Sequence, residues 1–252
     1  MAEQHGLPLP LPSLTDSAAQ AKRARGGRAF ETIIMTVLTR FLERDGIVVV
    51  TGKPKALLDV IEDPANVDEI VSYTRLPVKR RCTQTQLEDY PDSDLFALVR
   101  PHHPTNPWRL LAIINCKVDF HSRETEAAFW GLSVRTSSYI KYVCVTEDRD
   151  IYSVGRSELG ASCGKSRKAR RLLESYTDRL YLCKRYSGIG DPTLGTDIDT
   201  MLHQLDRERP TTYPVFDDPS VPHHTEYCHL VRPVDDLISD LRRWKQEIAA
   251  AE

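Results

Sequence analysis

Two neighbouring stretches decide the fold: PDSDLFAL at residues 91–98 and LLAIINCKV at residues 110–118. The second is almost continuously apolar, which is typical of a strand buried on both faces. The first predicts a strand that begins at Asp94, and the proline-containing stretch between the two predicts a loop that lets the chain return. An antiparallel pair would place the start of the first strand beside the end of the second. Asp94 and Lys117 are therefore expected to meet at one end of a sheet.

The elements around this pair predict a mixed α/β core. After the two strands, the apolar spacing predicts helix, strand, helix and strand in turn, which gives the order β–β–α–β–α–β. These four elements are expected at residues 124–134, 139–145, 165–176 and 179–183. Outside the core we expect helices at 29–43, 54–61, 67–73 and 199–207, a strand at 46–51 and an amphipathic helix after Pro233.

The composition is that of a globular, non-membrane protein. The 252 residues carry 34 Lys and Arg against 36 Asp and Glu, with 40% hydrophobic and 28% charged residues. These values exclude disordered, collagen-like and coiled-coil chains. No apolar run approaches the roughly 20 residues of a membrane helix, and the N-terminus lacks the apolar segment of a secretion signal. The six cysteines show no CxxC spacing, so we expect reduced thiols and a cytoplasmic protein.

The chain divides into a tail and one domain. Residues 1–28 contain several prolines and end in a basic run, and they are expected to form a flexible basic N-terminal tail. Residues 29–252 are expected to form a single domain with its core at about residues 85–185.

The residue types at the expected sheet edge suit phosphate chemistry. A carboxylate at a strand end binds a hard cation such as Mg²⁺ through oxygen, and a lysine beside it stabilises charge that builds up on phosphate. A lysine near the end of an otherwise apolar strand needs partners, which is the reason to suspect Lys117. Because side chains alternate along a strand, Asn115, Lys117 and Asp119 share one face and Cys116 the other.

With these residues in place, the chain resembles a known family. PDSDLFAL, LLAIINCKVDF, HSRETEAAFWGL and IKYVCVTED together resemble the core of type II restriction endonucleases of the PD-(D/E)XK nuclease superfamily. The resemblance covers roughly residues 92–148. It implies a restriction-endonuclease-like core, a mixed sheet flanked by helices, and Mg²⁺-dependent, sequence-specific hydrolysis of phosphodiester bonds in double-stranded DNA.

The resemblance also implies roles for individual residues. The aspartate of the motif falls on Asp94, or on Asp92 if the Pro-Asp pair is taken literally, and the lysine falls on Lys117. Asp94, Asn115 and Cys116 are the candidate metal ligands. The family has an acid where this chain has Asn115, so a second carboxylate must come from elsewhere. We favour Glu124, and the alternatives are Glu126 and Asp119.

The DNA surface and the partners follow from basic clusters and from symmetry. The candidate phosphate or base contacts are Lys165, Arg167, Lys168 and Arg170, with Arg80 and Arg81 in a second cluster. A palindromic site presents two half-sites, so a homodimer is expected. The resemblance also implies a cognate DNA methyltransferase in the same restriction-modification system.

Two alternatives remain open at the level of sequence. One is a nuclease of the same core that acts in DNA repair or on a structure such as a Holliday junction. The other is a catalytically inactive DNA-binding domain, because Asn115 stands where the family has an acid. Cleavage of plasmid DNA into discrete fragments would distinguish restriction from both alternatives.

Overall fold

The structure is a computed structural model that describes most of the chain. The described residues are 14–79, 86–89, 93–101, 103, 105–118, 120, 123–137, 140–147, 157–162, 164–183 and 227–250.

A six-stranded mixed sheet forms the centre of the structure, in the order β1-β4-β5-β6-β7-β8. The first two contacts in that order, β1 with β4 and β4 with β5, are antiparallel, and the remaining three are parallel. The strands are β1 (Ile47–Thr51), β4 (Leu95–Val99), β5 (Arg109–Lys117), β6 (Lys141–Thr146), β7 (Arg179–Leu182) and β8 (Val231–Pro233). A separate hairpin joins β2 (Leu76–Lys79) to β3 (Gln86–Asp89).

The register of the sheet places the two diagnostic stretches as the sequence predicts. Leu95 of β4 lies opposite Ile114 of β5, so β5 extends beyond the point where β4 begins. On its other side β5 is parallel to β6, and Lys117 pairs with Thr146. The predicted antiparallel pair and the predicted core order are both confirmed.

Helices cover both faces of the sheet because each carries one apolar stripe. On one face, α1 and α6 bury residues such as Phe30, Ile33 and Trp244 against the sheet. On the other face, α2, α3, α4 and α5 bury Leu57, Ile70 and other apolar side chains. The helices are α1 (Leu14–Leu42), α2 (Pro54–Ile61), α3 (Pro64–Ser72), α4 (Glu124–Ser137), α5 (Lys168–Tyr176) and α6 (Asp235–Ala250). The α/β class with helices on a mixed sheet is thus confirmed.

Some boundaries differ from the sequence expectations. Helix α1 begins at Leu14, whereas the sequence predicted a helix that begins at residue 29. The alanine and basic residues there favour helix strongly enough to offset two glycines. Helix α5 begins at Lys168 and not at Lys165, because Gly160 and Ser166 form a bridge just before it.

Several expected features fall on residues that the structure does not describe. They are the tail over residues 1–13 and the helix at 199–207. The division into one tail and one domain stays a prediction. The sequence analysis did not anticipate the β2–β3 hairpin or the short strand β8. Among the described helices, none has the combination of length and apolar character that crossing a membrane requires.

The packing of α4 on α5 generates a stability prediction at Gly131. A Cβ atom at Gly131 would lie 2.4 Å from the carbonyl oxygen of Tyr176, so α4 can approach the end of α5 only with glycine there. We expect Gly131→Ala to lower the free energy of unfolding by about 1–3 kcal/mol, as overpacking does. Gly27→Ala in α1 is the control, since nothing lies within 4 Å of its Cβ position. It should raise stability by up to about 1 kcal/mol through helix propensity. Equilibrium denaturation measures both, and equal effects would contradict the packing argument.

Candidate active site

A carboxylate and an ammonium group meet where β4 begins and β5 ends. Nζ of Lys117 lies 3.2 Å from Oδ2 of Asp94, and both side chains are largely buried, with exposed fractions of 12% and 8%. The same Oδ2 accepts the backbone N–H of Cys116 at 2.6 Å. The sequence predicted that these two groups would meet, and they do. Their roles in catalysis stay predictions.

The backbone of Asp94 is held by the neighbouring strand. The N–H of Gly52, directly after β1, donates to the carbonyl oxygen of Asp94 at 3.0 Å. A Cβ atom at Gly52 would lie 2.4 Å from the carbonyl oxygen of Ser93, so the close approach of the two segments requires glycine. Asp94 therefore has its main chain bound on the β1 side and its side chain bound on the β5 side.

The alternation of side chains along β5 separates the candidate ligands. Asn115 is buried, and its Nδ2 donates to the hydroxyl oxygen of Tyr142 at 3.2 Å. Cys116 points to the other face, where its side chain joins the core beneath α1 and α6. Asn115 and Lys117 thus belong to one face, as expected from the strand period.

The thiol of Cys116 is a poor ligand in this environment. Burial raises its pKa well above the usual value, the negative charges of Asp94 and Glu31 raise it further, and only Lys117 opposes them. The thiol therefore stays protonated at neutral pH. Burial likewise raises the pKa of Cys144 to about 12. If Cys116 is a ligand of a hard cation, as the sequence predicts, it must bind through its backbone carbonyl oxygen and not through its thiol.

Glu31 on α1 is an acidic residue that the sequence analysis missed. Its negative charge is one of those that raise the pKa of the Cys116 thiol. The signal for it was weak. Glu31 is next to Phe30 in the sequence, but only the packing of α1 on the sheet places Phe30 and Ile33 in the same apolar cluster as Cys116.

Glu124, the favoured second acid, is the first residue of α4 and is buried. Its Oε1 lies 3.4 Å from Nζ of Lys168, which is itself 68% exposed. The structure thus brings Glu124 together with a residue predicted to contact DNA. Glu126, the alternative on the same helix, is exposed. The other candidates, Asp92 and Asp119, lie outside the described residues.

The predicted DNA-contacting residues do not share one environment. Lys165 and Lys168 are exposed, and Arg167 is partly exposed. Arg170 is fully buried, with its Nε 2.7 Å from Oε1 of Glu174. This position corrects the expectation for Arg170, because a guanidinium group paired in the interior is not available to DNA. Arg80 and Arg81 lie outside the described residues.

The oxygen donors near Lys117 fit a hard cation better than they fit zinc. Within the part of the chain that the structure describes, no three His, Cys, Asp or Glu side chains gather into a metal-binding group. Asp94 precedes Leu95, which pairs with Ile114, so Asn115 and Cys116 follow directly on the neighbouring strand, and the N–H of Cys116 binds the Asp94 carboxylate. Mg²⁺ characteristically takes one or two carboxylates and completes its shell with water and substrate phosphates. The residues present therefore suit Mg²⁺.

Comparisons with known proteins bear on the same region. A family model described as "BsaWI restriction endonuclease type 2" matches residues 66–205, more than half of the chain. The chain is 27% identical over 177 residues to "Putative type II restriction enzyme MjaVIP" of Methanocaldococcus jannaschii, over 67% of this chain and 69% of that protein. It is also similar to a chain of the "Restriction endonuclease PspGI-substrate DNA complex", with 19% identity and a TM-score of 0.40 over 93% of this chain and 67% of that one.

The geometry of the Asp94–Lys117 pair can be tested through stability alone. Asp94→Asn leaves the Lys117 charge largely buried without its carboxylate, and we expect a loss of about 1–3 kcal/mol in the free energy of unfolding. The double variant Asp94→Asn, Lys117→Met should lose less free energy of unfolding than the sum of the two single variants, because removing both charges leaves no unpaired buried charge. A double-mutant cycle by denaturant unfolding measures the coupling. Strictly additive effects would show that the two groups do not interact.

Proposed function

Because the chain belongs to the BsaWI restriction endonuclease type 2 family, it is a type II site-specific nuclease, and we propose that Asp94 and Lys117 form its Mg²⁺-dependent active site. The observation that carries the proposal is the 3.2 Å contact between Lys117 Nζ and Asp94 Oδ2. Both residues lie inside the matched range of residues 66–205. Family membership also sets aside the alternatives of a repair nuclease and an inactive DNA-binding domain.

The metal would be held from one edge of the sheet. Asp94 supplies the carboxylate, while Asn115 and the backbone carbonyl of Cys116 supply neutral oxygens. Bound Mg²⁺ polarises the scissile phosphoryl group and favours attack by water. Asn115 brings no charge, so a further carboxylate would strengthen the binding of the cation.

We propose Glu124 for that second carboxylate, with Glu31 as the competing candidate. Glu124 opens α4 seven residues after Lys117, and its carboxylate is buried near its partner Lys168. Glu31 is supported by its electrostatic effect on the Cys116 thiol. Both carboxylates come from helices that pack on the sheet, one from each face.

Lys117 carries the positive charge of the site. Its ammonium group, held by Asp94, would lie beside the reacting phosphate, where it orients the attacking water and stabilises the charge that develops on the phosphoryl oxygens. Partial burial strengthens this stabilisation, since less water screens the charge. The backbone amide of Cys116 keeps the Asp94 carboxylate oriented while Lys117 acts.

We propose that double-stranded DNA is bound by the exposed basic residues at the start of α5. Lys165, Arg167 and Lys168 remain in this surface, and Arg80 and Arg81 are proposed from sequence. A homodimer matches a palindromic site, in which each protomer reads one half. A cognate DNA methyltransferase and a cytoplasmic location complete the proposed restriction-modification system.

Cleavage assays test the active site directly. A sequenced plasmid incubated with the enzyme and Mg²⁺ should give discrete fragments, and run-off sequencing of their ends identifies the site and the cut position. Lys117→Met and Asp94→Asn should each slow cleavage by at least about 100-fold, the scale of a lost general acid–base or electrostatic group. Excess chelator should abolish cutting by the parent enzyme. If either variant cuts as fast as the parent, the active-site assignment is wrong.

The same assay separates the two candidate acids. The variant that lacks the second ligand should need about tenfold or more Mg²⁺ for half-maximal rate. Glu124→Gln is expected to show this shift, and Glu31→Gln is compared with it. If only Glu31→Gln needed more Mg²⁺ for half-maximal rate, Glu31 on α1 and not Glu124 would be the second carboxylate.

Salt dependence tests the DNA surface. The logarithm of the binding constant for duplex DNA should fall linearly with the logarithm of salt concentration. Lys165→Ala should reduce the magnitude of that slope by about one phosphate contact. The matched control is Arg243→Ala, an exposed cation on α6 at the opposite face of the sheet. Fluorescence anisotropy without divalent metal measures DNA binding by the parent and by both variants. Identical salt slopes for all three proteins would show that Lys165 does not contact DNA phosphate.

A further inference from the structure

The segment between Lys117 and α4 is held at three described points. The Thr146 hydroxyl lies 3.4 Å from the carbonyl oxygen of Val118. The N–H of Phe120 donates to Oε2 of Glu158 at 2.9 Å. At the far end, Glu124 is paired with Lys168. The chain that leaves the proposed active site is thus anchored to a neighbouring strand and to the stretch that leads into α5.

Glu158 is the unusual member of this set. It is only 5% exposed, and a buried acidic side chain is uncommon unless its charge is compensated. Phe120 is also buried, so its N–H has no access to bulk water. A carboxylate that accepts a backbone N–H in such surroundings forms a strong, charge-assisted hydrogen bond.

The backbone around Glu158 is itself tightly constrained. Oγ of Ser157 accepts the N–H groups of Leu159 and Gly160, both at 3.0 Å. The carbonyl oxygen of Leu159 accepts the N–H of Arg167, which links this turn to the start of α5. A side chain mounted on a turn with these contacts is preorganised to hold its partner in one place.

We propose that Glu158 is a positioning residue for Lys117, acting through the amide of Phe120. Phe120 follows Lys117 by three residues, and Lys117 is the last residue of β5. Release of Phe120 would let the end of β5 shift, and Nζ of Lys117 would shift with it relative to Asp94. Displacements of about 1 Å at a catalytic group can slow a reaction by about 100-fold. The inference rests on the proposed role of Lys117 and adds a residue that does not contact the substrate.

Three replacements of Glu158 separate the effect of the position of its acceptor oxygen from the effect of its negative charge. Glu158→Gln keeps an oxygen at the same distance, and Glu158→Asp keeps the charge but draws the oxygen back by one methylene. Glu158→Met keeps the length but leaves only a weak thioether acceptor. Single-turnover cleavage of the plasmid cut by the parent enzyme gives the rate, and anisotropy without divalent metal gives DNA affinity. We expect the Asp and Met variants to cut at least about tenfold more slowly with DNA affinity nearly unchanged, and the Gln variant to stay within about threefold of the parent.

Asp240 supplies the matched control. It is a buried carboxylate on α6, 3% exposed, that accepts the hydroxyl of Tyr181 at 2.7 Å on the other face of the sheet. Asp240→Ala should lower the thermal midpoint and leave the cleavage rate unchanged at temperatures below unfolding. If Asp240→Ala slowed cleavage as much as the Glu158 variants do, the effect of Glu158 would be explained by general destabilisation of the fold.

The outcomes distinguish this inference from the proposed active site. If Lys117→Met is inactive but Glu158→Asp and Glu158→Met cut like the parent, only the positioning role fails. If Glu158→Gln is as slow as the Met variant, charge and not the bond to Phe120 is responsible, and the proposal is overturned. If Lys117→Met cuts normally, the active-site assignment fails first and the positioning role fails with it.

Discussion

The carboxylate of Asp94 is the group on which the rest of the site depends. It lies at the start of β4 and binds two groups at the end of β5, the Lys117 ammonium and the Cys116 amide, through one oxygen. Two strands must therefore keep their register to within one residue, because a shift by one would turn Lys117 to the opposite face. The continuous apolar core on both faces of β5 enforces that register.

Sheet topology determines what can approach this group. The parallel strands that follow β5 leave their carboxyl ends at the same edge as Lys117, and α1 and α4, which carry Glu31 and Glu124, lie on opposite faces of the sheet. In open α/β sheets, ligands characteristically bind outside the carboxyl ends of the strands. A hard cation and a phosphate would thus enter at an edge where one carboxylate, Asp94, and one lysine, Lys117, are already fixed.

The basic run before and within α5 shows why residue type alone predicts surfaces poorly. The sequence predicted that Lys165, Arg167, Lys168 and Arg170 form one basic cluster that contacts DNA. In the folded protein, the ammonium group of Lys168 pairs with the carboxylate of Glu124. The side chain of Arg170 is instead buried, where it binds Glu174 and Cys228. A buried arginine is stable only with such partners. Glu174 lies one turn further along α5, but Cys228 comes from a distant part of the chain, and no local pattern reveals that the whole side chain is buried.

Local patterns were enough for five strands of the central sheet (β1, β4, β5, β6 and β7), for most of the helices and for the meeting of Asp94 with Lys117, but not for β8 or the β2–β3 hairpin. The predicted features depend on residues that are close together in the sequence, because an apolar run forms a buried strand and two such runs joined by a loop pair antiparallel. Helix α1 begins at Leu14, fifteen residues before the expected start, because the apolar spacing marks only the part of the helix that packs on the sheet. The influence of Glu31 on the Cys116 thiol, the bond between Glu158 and Phe120 and the burial of Arg170 arose only on folding. The first two join residues far apart in the chain, and the third depends on how α5 packs against the sheet, so no local pattern contains them.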